Sequence, residues 1–202
     1  MMIDYEIIAR AINFYAQKNF TRIEAPWLVS MATSAITRPT DRPDYVVQKS
    51  NETKKKSFVA SGEQSFLYLI NKGHLPETGR YQTVTPCMRA DDFDQTHTKY
   101  FLKNELIVYS TLGLPQAAKD LAMREMVDQA TYFFVSQGFQ RDYLVIKQIS
   151  ESQIDVLTAD GVELGSYGYR TSGALDWVYG TGVAEPRFSS TRRLYWRSNG
   201  VS

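Results

Sequence analysis

The sequence predicts an α+β fold, an antiparallel β-sheet flanked by helices, on two observations. Tyr81 to Met88 and Phe101 to Ser110 are both rich in β-branched and aromatic residues and are joined by a polar segment, the pattern of a long hairpin. Around them, amphipathic helical stretches interleave with further short hairpins, which places helices against an antiparallel sheet. A length of 202 residues suits one domain with a substantial core, so residues 1–202 are read as a single domain.

Each element has a local reason. Asp4 is a helix cap ahead of a helix to Lys18, with Ile7, Ile8, Ala11, Phe14 and Tyr15 on one face. Phe20 to Val29 reads as a strand. Residues 31–44, with Thr, Ser, Arg, Asp and two prolines, read as a loop. A hairpin follows, Tyr45 to Gln48 and Ser57 to Ala60, turning through the lysines at 54 to 56. Gln64 to Lys72 is a helix stopped near Gly73. After the long hairpin, Pro115 starts a helix with the apolar stripe Ala118, Leu121, Ala122, Met126, Ala130 and Phe133, ended by Gly138. Strands at Tyr143 to Gln148, Gln153 to Leu157 and Val162 to Tyr169 complete the set, with Ala159-Asp160-Gly161 as a turn.

Charge and cysteine content narrow the classes. Lys and Arg total 23 against 22 for Asp and Glu, so the net charge of +1 supplies no overall positive field toward nucleic acid. The single cysteine, Cys87, excludes an intramolecular disulfide and suits a reducing, cytoplasmic setting. No apolar run approaches the roughly 18 residues of a spanning helix, so no membrane partner is expected.

The chemistry concentrates in Cys87 to Phe101, which carries Arg89, Asp91, His97 and Phe101, and in Gly180 to Arg187. An arginine closing the first strand can hold a phosphate and a carboxylate together through its planar fork. Phe101, at the head of the return strand, can stack on a purine, and a nearby carboxylate can accept from an exocyclic amine. These parts suit an ATP site that activates a carboxylate. Read singly, Arg89 is an ordinary ion-pair partner, Phe101 a core aromatic and His97 a solvated loop residue; the spacing is what sets them apart.

That spacing resembles motif 2 of class II aminoacyl-tRNA synthetases, closest to the aspartyl, asparaginyl and lysyl subgroup, with Asp91 where glutamate is usual and His97 where arginine is frequent. Phe20 to Leu28, containing Pro26, resembles motif 1, and Gly180 to Arg187 is similar to motif 3. Ser61-Gly62-Glu63-Gln64 resembles the family's amino-acid loop. Glu163 to Arg170 resembles the strand carrying a metal-binding Glu and a substrate-binding Arg, a spacing shared with the ammonia-dependent asparagine synthetase. The likeness runs from about Tyr5 to Arg187.

The resemblance implies a class II synthetase-like core that binds ATP and Mg²⁺ and forms an acyl-adenylate. It assigns Arg89 and Arg187 as catalytic phosphate ligands, and Asp91, His97, Phe101 and Glu163 as further ATP contacts. Glu163 and Asp155 become Mg²⁺ ligands, since oxygen donors suit a hard cation. Glu63, Gln64, Ser166 and Arg170 line the amino-acid pocket, with aspartate or asparagine as substrate. Residues 163 and 170 differ by an odd number, so both reach one face only if Gly165 and Gly168 supply a bulge or twist. The motif 1 region implies a homodimer. No separate anticodon-binding domain fits the length, and neither charge nor extra modules supports tRNA as acceptor. Three readings stay open: a minimal synthetase, a ligase using ammonia, a carrier protein or a small molecule, and a noncatalytic relative that kept the fold. After Arg187 the family's long apolar helix is replaced by a short polar segment, which predicts a thinner scaffold there.

Overall fold

In a computed structural model, residues 2–38, 43–89 and 100–200 are described. The helices are α1 (Tyr5–Ala16), α2 (Met31–Ala35), α3 (Gly62–Asn71), α4 (Gln116–Ser136) and α5 (Arg187–Ser198). The strands are β1 (Thr21–Arg22), β2 (Leu28–Ser30), β3 (Val46–Val47), β4 (Lys56–Phe58), β5 (Thr78–Met88), β6 (Tyr100–Ser110), β7 (Leu144–Ser150), β8 (Gln153–Thr158), β9 (Glu163–Ser172) and β10 (Leu175–Glu185). Seven strands form one sheet in the order β1-β5-β6-β10-β9-β8-β7, antiparallel except for the β1–β5 pair, and β2-β4-β3 form a small second sheet.

Strand alternation gives the large sheet two different faces. On one, Leu106, Tyr167, Val178 and Val183 pack with α1, α4 and α5 into the main core. On the other, Ile107, Tyr109, Trp177 and Tyr179 pack against Phe66, Leu67 and Ile70 of α3. Helix α1 starts as its cap predicts: Asp4 Oδ1 accepts from the amides of Glu6 and Ile7 at 3.0 and 3.2 Å. Gly73 and Gly138 take positive φ where α3 and α4 end.

Four expectations need correction. Phe20 to Val29 is not one strand: Thr21–Arg22 joins the large sheet and Leu28–Ser30 the small one. Pro26, which has no amide hydrogen to give a ladder, lies between them. Within residues 31–44 a short helix, α2, forms because Ser30 caps it, its Oγ accepting from Thr33 N at 3.1 Å. Leu121 lies off the buried stripe of α4 and is 60% exposed, while Met123, Val127 and Phe134 are buried. The segment after Arg187 is a 12-residue helix, not a thin polar tail. Its Phe188 and Tyr195 are buried against Phe133, Phe134, Phe139 and Tyr143, with ring centroids 4.4 to 6.3 Å apart.

A bulge interrupts β10 between Thr181 and Val183. Two buried tyrosine hydroxyls satisfy the carbonyls it frees: Tyr15 donates to Gly182 O at 3.0 Å and Tyr167 to Thr181 O at 2.7 Å. Burial pushes both phenols well up. A side chain at 182 would run into the Asn104 carboxamide and the Tyr15 ring, so only glycine fits this turn of the strand.

Candidate active site

The face of the large sheet under α3 is where the polar residues gather. Along β6, Phe101, Lys103, Glu105, Ile107 and Tyr109 alternate onto it. Helix α3 descends so closely that a Cβ at Gly62 would sit 2.8 Å from Glu105 Cβ, so Gly62 lets the helix start directly above the strand. Ser61, the cap of α3, donates from Oγ to Glu105 Oε2 at 2.7 Å. Lys103 Nζ reaches both oxygens of Glu105, at 3.0 and 2.9 Å. Glu105 is fully buried and Lys103 nearly so, which is tolerated because each charge is paired and bonded.

Glu63, in the first turn of α3, is also buried. Its Oε1 accepts from Trp177 Nε1 at 2.6 Å and lies 3.7 Å from Arg170 Nε. Burial raises the Glu63 carboxyl above the usual carboxylate range, with Arg170 and the Trp177 bond pulling the other way. The Arg170 guanidinium stacks on Tyr179 at 4.8 Å. Burial pulls its pKa down, but Glu63 and Tyr179 outweigh this and leave it raised. Arg170 is therefore a held, permanently charged fork whose counterion is Glu63.

At the end of β5, Arg89 donates from Nε to Ala60 O at 3.0 Å, and its guanidinium lies 5.1 Å from the centre of the Phe101 ring. The strand register carries the ends of three strands to this end of the sheet: Met88 faces Tyr100, and Glu185 faces Leu102. Arg187 follows directly, and its Nη1 lies 3.4 Å from both the carbonyl and the Oε1 of Glu163. Arg89, Phe101, Glu163 and Arg187, separated by up to 98 positions in sequence, thus share one end of the sheet.

The strip continues between the two ends. The buried Cys87 thiol, raised by its burial and then by Glu105, is lowered in turn by Lys103 and Arg89. Arg170, Glu63, Glu105, Lys103, Cys87 and Arg89 are in this way consecutive electrostatic neighbours on one face. The expected bulge in β9 is present at one of its two predicted glycines: Val156 faces Gly165 but Leu157 faces Glu163, so Leu164 is the extra residue. At Gly168 the ladder is regular. The bulge sends Leu164 into the core and returns Glu163 to the face of Ser166 and Arg170.

Asp155 faces Ser166 across the β8–β9 ladder, and Gln153 Nε2 bonds both, at 3.2 and 3.1 Å. Asp155 and Glu163 present carboxylates two ladder positions apart on the same face, while no group of three His, Cys, Asp or Glu that could hold a metal occurs among the described residues. Gln64 is engaged elsewhere. Its Oε1 accepts from Ala60 N at 2.8 Å and its Nε2 donates to Ser34 O at 3.0 Å, so it ties α2 to α3. Asp91 and His97 lie outside the described residues. The sequence signal for Lys103 and Glu105 is their spacing: two charges at alternate positions of a strand point to the same face.

Comparison with solved structures places the fold. The chain superposes on the serine-tRNA ligase of Naegleria fowleri, a complex with AMP, with a TM-score of 0.72 at 16% identity over 91% of this chain and 52% of that one. It matches a pyrrolysyl-tRNA synthetase of Desulfitobacterium hafniense with a TM-score of 0.68 at 16% identity over 94% of this chain and 69% of that one. The seryl-tRNA synthetase of Pyrococcus horikoshii, complexed with ATP, matches with 0.69 at 14% identity over 98% of this chain and 55% of that one. The fold is that of class II aminoacyl-tRNA synthetase catalytic cores.

At such identities the likeness is one of architecture. The chain spans about half to two-thirds of the length of these synthetases. Their seryl and pyrrolysyl specificities lend no support to the aspartyl, asparaginyl and lysyl subgroup, which rests on motif residues alone. No protein-family profile matches the chain, and no curated protein matches it.

Proposed function

We propose that this chain activates an amino-acid carboxylate with ATP. The observation that carries the proposal is the convergence of Arg89, Phe101, Glu163 and Arg187 at one end of a class II synthetase sheet, continuous with a charged strip beneath α3. In this reading Phe101 offers a ring for adenine and Arg89 and Arg187 neutralise the phosphates. Asp155 and Glu163 are the residues that would hold Mg²⁺, which on binding adds positive charge at the polyphosphate. A carboxylate oxygen of the amino acid attacks the α-phosphorus, the bond to the bridging oxygen breaks, and pyrophosphate leaves with the electron pair. No protein nucleophile is needed, so orientation and preorganised charge supply the rate enhancement.

Within the pocket, the Glu63–Arg170 pair refines the substrate proposal. A carboxylate approaching Arg170 must compete with Glu63, whereas a carboxamide can accept from Arg170 and donate to Glu63 at once. The pair therefore favours a neutral polar side chain, asparagine before aspartate.

The test is amino-acid-dependent exchange of labelled pyrophosphate into ATP, run over all twenty amino acids. Exchange precedes any acceptor, so it does not depend on whether the acyl group passes to tRNA, ammonia, a carrier or a small molecule. Exchange with at least one amino acid, lost by 100-fold or more in Arg89→Ala while the circular dichroism spectrum stays the same, is the expected outcome, the loss being about that of one removed transition-state donor. Wild-type exchange in Arg89→Ala would remove Arg89 from the phosphate site, and no exchange with any amino acid would remove the activity.

A further inference from the structure

Helix α5 begins with no capping side chain of its own, since Pro186 occupies the cap position. Glu185, one residue earlier, supplies the missing acceptor. Its Oε1 accepts from Ser189 N at 3.0 Å and from Ser189 Oγ at 2.7 Å. Its other oxygen, Oε2, accepts from the backbone amide of Asp4 at 3.1 Å. Asp4 is itself the cap of α1, and its Oδ2 lies 3.5 Å from Ser189 Oγ and 3.6 Å from Arg192 Nη2. One buried carboxylate thus bonds the first turn of α5 and, 181 positions before it in the chain, the amide of Asp4 at the start of α1.

A serine at position 186 would cap α5 locally and avoid burying a charge. What Glu185 adds is reach: one oxygen for each helix. Burial raises its carboxyl pKa, and the bonds from Ser189 and Asp4 work against that rise. The residue that follows Pro186 is Arg187, whose Nη1 lies 3.4 Å from Glu163 Oε1. The backbone that aims Arg187 is the same first turn that Glu185 fixes.

We infer that Glu185 is a positioning residue for Arg187, clamping the first turn of α5 to the start of α1 so that Arg187 is held at the phosphate end of the site. The inference rests on the reading of Arg187 as a phosphate ligand. It predicts a selective defect. ATP binding should weaken while the amino-acid site, built from α3, β6 and β9, is untouched.

Glu185→Ala and the milder Ser189→Ala test this, each with two readouts. In Glu185→Ala, hydrogen exchange of the Ser189 and Ser190 amides should quicken on the order of tenfold or more relative to wild type, with the amides of β6 unchanged, as expected for loss of bonds to a charged group. The ATP dissociation constant should rise on the order of tenfold, about 1.4 kcal/mol, with the KM for the amino acid unchanged. In an Arg187→Ala background the same substitution should leave ATP affinity as it is. Ser189→Ala should show the same pattern at a few-fold, and decides the matter if Glu185→Ala does not fold. Unchanged α5 amides, equal shifts in ATP and amino-acid binding, or a full additional loss in the Arg187→Ala background would overturn the clamp. Should wild-type protein show no pyrophosphate exchange, the activity proposal fails, and the amide exchange and ATP titration still decide the role of Glu185.

Discussion

Glu63 and Arg170 show how one residue's charge state is set by its neighbours. Glu63 is buried and its carboxyl is raised, so the folded chain holds a proton there more tightly than the unfolded chain does. Stability linked to this group is therefore greatest below the ordinary carboxylate value of about 4.3 and falls as pH rises above it. Arg170→Leu removes the charge that favours ionised Glu63 and should steepen that fall. The loss at neutral pH should stay below the roughly 3–5 kcal/mol of a fully buried broken pair, because the Arg170 side chain is 38% exposed. Glu63→Gln should flatten it. Thermal melts from acid to neutral pH measure both slopes, and identical pH profiles for wild type, Arg170→Leu and Glu63→Gln would show that Glu63 is not the titrating group.

At the scale of elements, the long hairpin, the α1 cap and the glycine stops of α3 and α4 were legible because local chemistry dictates them. The β9 bulge was legible too, from the odd spacing of Glu163 and Arg170. What was not legible depends on partners distant in sequence. Nothing within Phe20 to Val29 says that its ends pair with different sheets, since β5 and β4 make that choice. The polar composition of α5 hid its core role, because Phe188 and Tyr195 find their contacts on α4 and the turn after it. The chemistry divides similarly. Arg89 and Phe101 stood out through spacing, whereas the Glu63–Arg170 pairing and the Lys103–Glu105 strip follow from the sheet register.

The aromatic packing of α5 carries its own prediction. Phe188 is 1% exposed and touches the rings of Phe133, Phe134 and Phe139. Phe188→Ala should cost about 3–5 kcal/mol in denaturant unfolding, the usual range for a buried phenylalanine. A loss under about 1 kcal/mol would mean that α5 is not part of the cooperative core, since only surface changes are that mild.

For the whole molecule, the open question is assembly. The segment resembling motif 1 supplies the sheet's edge strand β1 and an exposed Trp27, and α1 begins with an exposed Tyr5. A two-fold arrangement that covers this region would bury apolar surface and protect a sheet edge. Sedimentation at micromolar concentration should show a dimer, and Trp27→Glu should shift it toward monomer. A wild-type species of 23.1 kDa only would exclude this use of the region.

The order of strands also has a consequence in time. Strand β6 lies between β5, made just before it, and β10, whose pairing residues begin at Asp176. While the chain is being synthesised, the hairpin of β5 and β6 emerges first, and one edge of β6 has no strand to bond until residues 176–185 leave the ribosome. At roughly 5–20 residues per second, that gap lasts several seconds to about fifteen. During that interval the nascent chain presents an unpaired strand edge, the feature most prone to joining a neighbouring chain. The last strand to appear is the one that closes the middle of the sheet.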